Sequence, residues 1–191
     1  MAVVMAIRPR DAIFSDLLEP LRRELAGYRI AELTPDDGEQ LQALFERNPG
    51  YFRDVFGSSP GPAEAQSTYS GLPEGKEYAD KFLVGCFTEN DVLVAALDMI
   101  RNYPVEGTWT IGLIFIDESL RRTGLATRLL EGLESGIRAQ GGRVLRVGVA
   151  FQNERALNFW LNRGFEEKRR IQVRMGSREN ALITLEKTLK T

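Results

Sequence analysis

The sequence predicts an α/β domain in which a mixed, largely antiparallel central sheet is flanked by helices, with an extra helical arm at the N-terminus. Three observations point there. Apolar runs at 82–87, 92–100 and 109–116 are separated by the turns Thr88-Glu89-Asn90-Asp91 and Tyr103-Pro104-Val105-Glu106-Gly107, and they read as three consecutive antiparallel strands. An amphipathic helix opening at Leu125 joins the third of them to another strand at 144–149, so a strand-helix-strand unit sits inside the antiparallel sheet. Ahead of all of these, residues 11–25 carry apolar positions at helical spacing.

In chain order, Ile13, Phe14, Leu17, Leu18, Leu21 and Leu25 define the first helix, and Pro20 is expected to kink or divide it. Residues 1–27 are assigned as the arm and 28–191 as the main domain; the arm's apolar stripe needs cover, from a sheet edge or from a second copy in a homodimer. A short strand at 28–33 precedes Thr34-Pro35-Asp36-Asp37, which opens a helix with a hydroxyl, a proline and first-turn acids. That helix is expected to end near Asn48-Pro49-Gly50. From 51 to 81 the chain is rich in glycine, proline, serine and aromatics, which predicts a long irregular segment with one helical pattern near 63–69. In the helix from Leu125, Leu129, Leu130, Leu133 and Ile137 share one face, and Gly141-Gly142 ends it. A strand at 144–149, a helix at 153–163 stopped by Gly164, and strands near 165–175 and 181–189 complete the chain.

Composition bounds the chemistry. With 191 residues, 43% hydrophobic and 27% charged, the chain fits one soluble domain. Histidine is absent, which removes Ser-His-Asp and Cys-His machinery, HExxH zinc chemistry and every histidine base. The single Cys86 allows no intrachain disulfide and no cysteine-cluster metal site, usage typical of a reducing cytoplasm. Basic and acidic residues number 25 and 27, for a net charge of −2 without a long basic run, so no nucleic-acid partner is expected. No apolar run approaches the roughly 18 residues that cross a bilayer. Residues 1–7 are apolar, but Arg8 and Arg10 follow that stretch instead of preceding it, so it does not read as a secretory signal.

The most informative stretch runs from Ile114-Phe115-Ile116 through Arg121-Arg122-Thr123-Gly124-Leu125-Ala126-Thr127, a strand that passes through a basic turn into a helix. A helix N-terminus offers unpaired N–H groups and the positive end of its dipole. Gly124 and Ala126 keep side chains away so that a diphosphate can approach the backbone, and Arg121 and Arg122 add charge. The plain alternative is a solvated basic turn. Neither the Gly-Lys-Ser/Thr of a P-loop nor GxGxxG occurs.

The Arg-x-x-Gly-x-Ala spacing resembles the acyl-CoA signature of the GNAT superfamily of N-acetyltransferases. A second element agrees with it in order. Asn153 to Phe165 is similar to the superfamily's Asn-x-x-Ala segment ending in Gly-Phe, with Asn153, Ala156, Phe159 and Trp160 on or beside one helical face. A plain N-cap is the other reading of Asn153. The resemblance covers residues 28–189. It implies a GNAT-like fold and acetyl-CoA as cosubstrate, bound by Arg121, Arg122, Thr123, Gly124, Leu125, Ala126 and Thr127 at the turn. It implies main-chain contacts from Ile114, Phe115 and Ile116, and a second wall formed by Asn153, Ala156, Phe159 and Trp160.

The resemblance further implies direct acetyl transfer to a primary amine of a small molecule or protein in a ternary complex. An amine of pKa near 10.4 is only about one part in a few thousand neutral at pH 7, so losing its proton costs roughly 4 to 5 kcal/mol. A base is worth having, yet where some relatives carry a glutamate on the last of the three strands, this chain holds Thr110 and Gly112. Catalytic candidates are Asp98, a lone acid in an apolar strand, then Tyr103, with Glu106 beside it. The plain alternative for Asp98 is a solvent-facing acid on an edge. Many relatives place a tyrosine where Trp160 stands and use it to protonate the thiolate; an indole donates a hydrogen bond but is no practical acid, and Trp160 reads equally as a packed core aromatic. Tyr51, Phe52, Phe56 and Tyr69 are candidates for the acceptor wall. Two rival readings stand beside this one: a non-catalytic acyl-CoA-binding sensor or scaffold, and a nucleotide or phosphoester enzyme using the Arg121 turn.

Overall fold

The computed structural model describes residues 9–190, and the reading of residues 1–7 lies outside them. Seven strands, β1 (Arg29–Glu32), β2 (Lys81–Phe87), β3 (Leu93–Arg101), β4 (Thr108–Ile116), β5 (Val144–Ala150), β6 (Glu166–Met175) and β7 (Arg178–Thr188), form one sheet in the order β1-β2-β3-β4-β5-β7-β6. Neighbours are antiparallel except β4 with β5, which the helix α5 (Leu125–Ala139) connects as a parallel crossover. The mixed, largely antiparallel sheet is the predicted one.

Each sheet face has its own apolar core, because side chains alternate along every strand. On one face α5, α1 (Arg10–Glu24) and α6 (Glu154–Asn162) bury Phe82, Leu97, Trp109, Ile111, Leu145 and Ile183. On the other, α2 (Gly38–Glu46), α3 (Pro49–Phe56) and α4 (Glu64–Ser70) cover Leu83, Phe87, Leu93, Ala96 and Phe115.

Three expectations meet an outcome that differs in whole or in part. Pro20 does not divide α1, which runs unbroken from Arg10 to Glu24. A proline inside a helix costs about 3 kcal/mol. The apolar stripe offsets it, since Ile13, Phe14, Leu17, Leu18, Leu21 and Leu25 are all buried in the main core and each is worth about 1.5 to 3 kcal/mol. That stripe lies against α5 at two glycines: a Cβ on Gly132 would stand 2.9 Å from the Leu21 Cα, and one on Gly136 2.9 Å from the Leu17 carbonyl oxygen. The stripe is thus covered within the chain.

Second, the helix expected from Thr34 does begin there, with Thr34 and Asp37 forming a capping box, but its first turn, Pro35–Asp37, is 3-10 and only Gly38–Glu46, α2, is α-helical. Third, the segment read as irregular contains α3. Pro49-Gly50 reads in the sequence as a helix stop, but proline at the first helical position starts one, and Gly57 closes it in the left-handed region at φ 83°.

Candidate active site

The parallel pairing of β4 with β5 covers only Thr108 to Ile111 against Val144 to Val147. Immediately beyond it, Asp98 pairs with Leu113 and Met99 with Ile111, so Gly112 is the extra residue of a bulge. From there Leu113 to Ile116 pair with β3 and Gly148 to Ala150 with β7. The two strands part, and a cleft opens between them that begins at Gly112 and leads toward the N-terminus of α5.

That end of the cleft is built from the turn predicted to hold an anion. Arg122 sits at φ 66° and Gly124 at φ 87°, and a Cβ on Gly124 would meet nothing within 4 Å. No side-chain hydrogen bond caps α5, which leaves its first N–H groups without a side-chain acceptor. Arg122 and Thr123 are exposed, Ala126 is half-buried, and Leu125 is buried as an anchor. Arg122 has no ion-pair partner among the described residues, whereas Arg121 is held 2.7 Å from Glu118 Oε1. The Thr123 hydroxyl donates to the Leu120 carbonyl at 2.7 Å, and Thr127 Oγ1 accepts from Arg163 at 2.5 Å. Ile114 and Ile116 pack partly on the main core, and Phe115 is buried against Phe45 and Tyr51.

Two residues that the sequence reading missed brace this turn. Asn48, buried at the end of α2, accepts from the Glu118 N–H at 2.6 Å and donates to the Leu44 carbonyl at 2.7 Å. Arg47 donates to Asp117 Oδ2 at 2.5 Å and to the Leu93 carbonyl. Partial burial works against the Asp117 charge, but the bonds from Arg47 and Ser119 outweigh it and hold its pKa at about 2. Nothing in the sequence pairs residues 47 and 48 with 117 and 118, because the contact depends on how α2 crosses the sheet.

On the facing helix, Asn153 Oδ1 accepts from the Ala156 N–H at 3.2 Å and so caps α6. Ala156 and Phe159 are half-buried on the cleft's main-core side. Trp160 is 2% exposed, between Phe159 and Phe165 with ring centroids 5.2 Å and 4.8 Å away.

At the bulge stands Asp98. It is not on an edge: β3 lies between β2 and β4, so the carboxylate cannot be a solvent-facing edge acid. A Cβ on Gly112 would be 3.2 Å from its Oδ2. Both of its oxygens accept from Lys81 Nζ at 2.8 Å, and the same ammonium donates to the Gly71 carbonyl at 2.9 Å. Burial pushes the Asp98 carboxyl above the usual carboxylate range, opposed by the Lys81 charge, the Lys81 hydrogen bonds and the Met99 N–H. Lys81 was legible only as the residue before a strand.

Tyr103 lies in the β3–β4 turn, where its carbonyl accepts from Thr110 Oγ1 at 2.6 Å, at the opposite end of β4 from the anion turn. Phe52 is buried in the second core, and Tyr51, Phe56 and Tyr69 pack against it. Tyr69 also lines a cavity of about 530 Å³ together with Lys81, Tyr78 and Leu83. Cys86 is buried on β2, and burial pushes its thiol up to about 12, so it is no nucleophile. Among the described residues no cluster of acids and cysteine is placed to hold a metal ion, and no helix is long and apolar enough to cross a membrane.

Residues 39–165 match the model of the acetyltransferase (GNAT) family. Among solved structures, the chain is similar to an acetyltransferase from Thermus thermophilus, with a TM-score of 0.67 and 22% identity over 86% of this chain and 99% of that one. It is also similar to the ribosomal-protein-S18-alanine N-acetyltransferase from Escherichia coli, at TM-score 0.63 and 18% identity over 86% of this chain and 95% of that one. An N-acetyltransferase from Staphylococcus aureus gives TM-score 0.63 and 18% identity over 86% and 100% of the two chains. At these identities the likeness is one of fold. A search of curated proteins found no match.

Proposed function

The chain belongs to the GNAT acetyltransferase family, and from that premise we propose that it moves the acetyl group of acetyl-CoA directly to a primary amine of a small molecule or protein in a ternary complex. The observation that carries the reading is the cleft: β4 and β5 separate at Gly112, and the gap leads to a helix N-terminus whose glycine leaves open space.

The residues present fit the donor. The first N–H groups of α5 and the cation of Arg122 suit its diphosphate. The unpaired margin of β4 around Ile114 and Ile116 offers main-chain groups to the pantetheine, and Ala156 with Phe159 forms the wall across from it. When bound, acetyl-CoA supplies an activated acyl carbon and a thiolate leaving group. Asp98, at the start of the cleft, takes the proton of the acceptor ammonium, directly or through water. Tyr103 is the second candidate for that proton. The burial of Trp160 supports a packing role. A thiolate with pKa near 8.5 leaves tolerably without a protein acid, and the inert Cys86 favours direct transfer over an acyl-enzyme. The buried, unpaired Cys86 also fits a cytoplasmic site of action. With the α1 stripe covered by α5, a homodimer through that stripe loses its motive.

One observation favours a second reading, an acyl-CoA-binding sensor: both Asp98 oxygens already accept from Lys81. Thiol release from acetyl-CoA, followed across a panel of small amines and lysine-bearing or free-N-terminus peptides, separates the two. The enzyme reading expects amine-dependent thiol release with intersecting initial-rate lines. Parallel lines would contradict direct transfer, and binding of acetyl-CoA without turnover on any amine would favour the sensor.

A further inference from the structure

The Lys81–Asp98 pair is unusual for where it stands. All seven residues of β2 are buried, and Lys81 is the charged one among them, 4% exposed. Replacing a buried ion pair by apolar residues of similar volume is often neutral or stabilising, so stability alone does not explain a lysine here. Its three N–H donors are all used: one to each oxygen of Asp98 and one to Gly71. Lys81 therefore has no donor left for a ligand. Its role is exercised on Asp98 and on Gly71, the residue that ends α4.

The pair is also asymmetric. The Lys81 side chain is 4% exposed and that of Asp98 15%, and Gly112 contributes no side chain over the carboxylate. Of the two, the carboxylate is the more accessible group and the one that can accept a proton. We propose that Lys81 is a positioning residue for acetyl transfer, clamping both oxygens of Asp98 so that the carboxylate stays charged and aimed at the Gly112 bulge, and tying that placement to the end of α4. This rests on the reading of Asp98 as the proton acceptor.

Lys81 is the charged group that faces Asp98 from β2. The side of β4 presents Gly112 and Leu113, and α4 presents the Gly71 carbonyl, none of which titrates. The next charges, Asp80, Lys76 and Arg101, pair with one another. Removing Lys81 thus removes the cation that opposes the effect of burial, and the proton affinity of Asp98 must rise.

The test measures kcat against pH with acetyl-CoA and the amine of the panel above that gives the fastest thiol release, both saturating, together with acetyl-CoA affinity, for Lys81→Met, Lys81→Arg, Asp98→Asn and the Lys81→Met/Asp98→Asn double variant. In Lys81→Met the acid limb moves up by about 1 to 2 pH units, the rate at high pH levels off several-fold below that of the parent because the clamp is gone, and acetyl-CoA affinity stays within about twofold. Asp98→Asn lowers kcat about 100-fold and abolishes the limb, and the double variant matches it. A Lys81→Met enzyme that is slower at every pH with its limb unmoved overturns the inference. If Lys81→Met does not fold, Lys81→Arg decides: it keeps the charge but cannot serve three acceptors alike, so kcat falls several-fold with the limb in place, and an unchanged kcat overturns the proposal. An Asp98→Asn enzyme with parental rate and profile instead removes Asp98 as proton acceptor, a failure distinct from that of Lys81.

Discussion

The two ends of the cleft are built in opposite ways. At the α5 end, side chains are exposed, N–H groups are unspent, and Gly124 leaves empty space. At the Gly112 end, a buried ammonium has every donor engaged and the carboxylate it holds is mostly covered. The first end is prepared to receive charge; the second has its charge already in place and oriented. On the proposed function, donor binding rests on main chain and a few glycine and arginine positions, whereas proton transfer depends on a pair fixed by packing. On that contrast, damage at one end leaves the other intact.

The largest separation comes from Arg122→Glu combined with Gly124→Glu. Repulsion at the helix N-terminus is expected to weaken CoA binding by about 100-fold or more, roughly 2.7 kcal/mol, with the melting curve retaining one cooperative transition. Titration calorimetry reads this, and unaltered affinity would remove the donor end of the comparison. Next is a variant that touches neither end. Gly136→Val forces side-chain atoms into the Leu17 backbone and should cost about 1 to 3 kcal/mol in urea unfolding while leaving the affinity of the folded protein for CoA unchanged. It marks what purely structural damage looks like.

The legibility of the two ends follows the same contrast. The shape of the turn before α5 could be read because its residues are consecutive, Arg121 to Thr127, and the order of strands and helices followed from hairpin signals and from one helical face. The brace beneath that turn could not be read: Asn48 meets Glu118, and Arg47 meets Asp117, across a separation of 70 residues. Asp98 stood out as an acid in an apolar strand, but its partner lies 17 residues away, and only the β2–β3 pairing brings them together. The helix α3 was hidden because Pro-Gly carries opposite meanings at the two ends of a helix, and Pro20 does not divide α1 because local propensity is overruled by burial on α5.

A smaller effect sharpens the acceptor side. Gly112→Ala places a Cβ 3.2 Å from Asp98 Oδ2, so the carboxylate must shift by a few tenths of an ångström. The expected result is a fall in kcat of about tenfold with acetyl-CoA affinity preserved; steady-state kinetics beside a binding titration checks it. Smallest is the brace. Asp117 is depressed from 3.8 to about 2 in the folded protein, so its stabilising contribution is present above pH 3.8 and is lost as pH falls toward 2. The stability gap between the parent and Asp117→Asn in urea should be widest above about pH 5 and narrow by about pH 3; a gap independent of pH would show that the Arg47 contact acts through packing alone.

The central claim is that the α5 end of the cleft receives acyl-CoA. Thermal unfolding with acetyl-CoA, CoA, ATP and NADH, each in large excess, tests it most directly. A ligand at 100 times its Kd stabilises by about 2.7 kcal/mol, enough to raise a midpoint by several degrees. The account predicts a rise with acetyl-CoA and CoA and none with NADH or ATP. No rise with either CoA compound, or an equal or larger one with ATP, would contradict it.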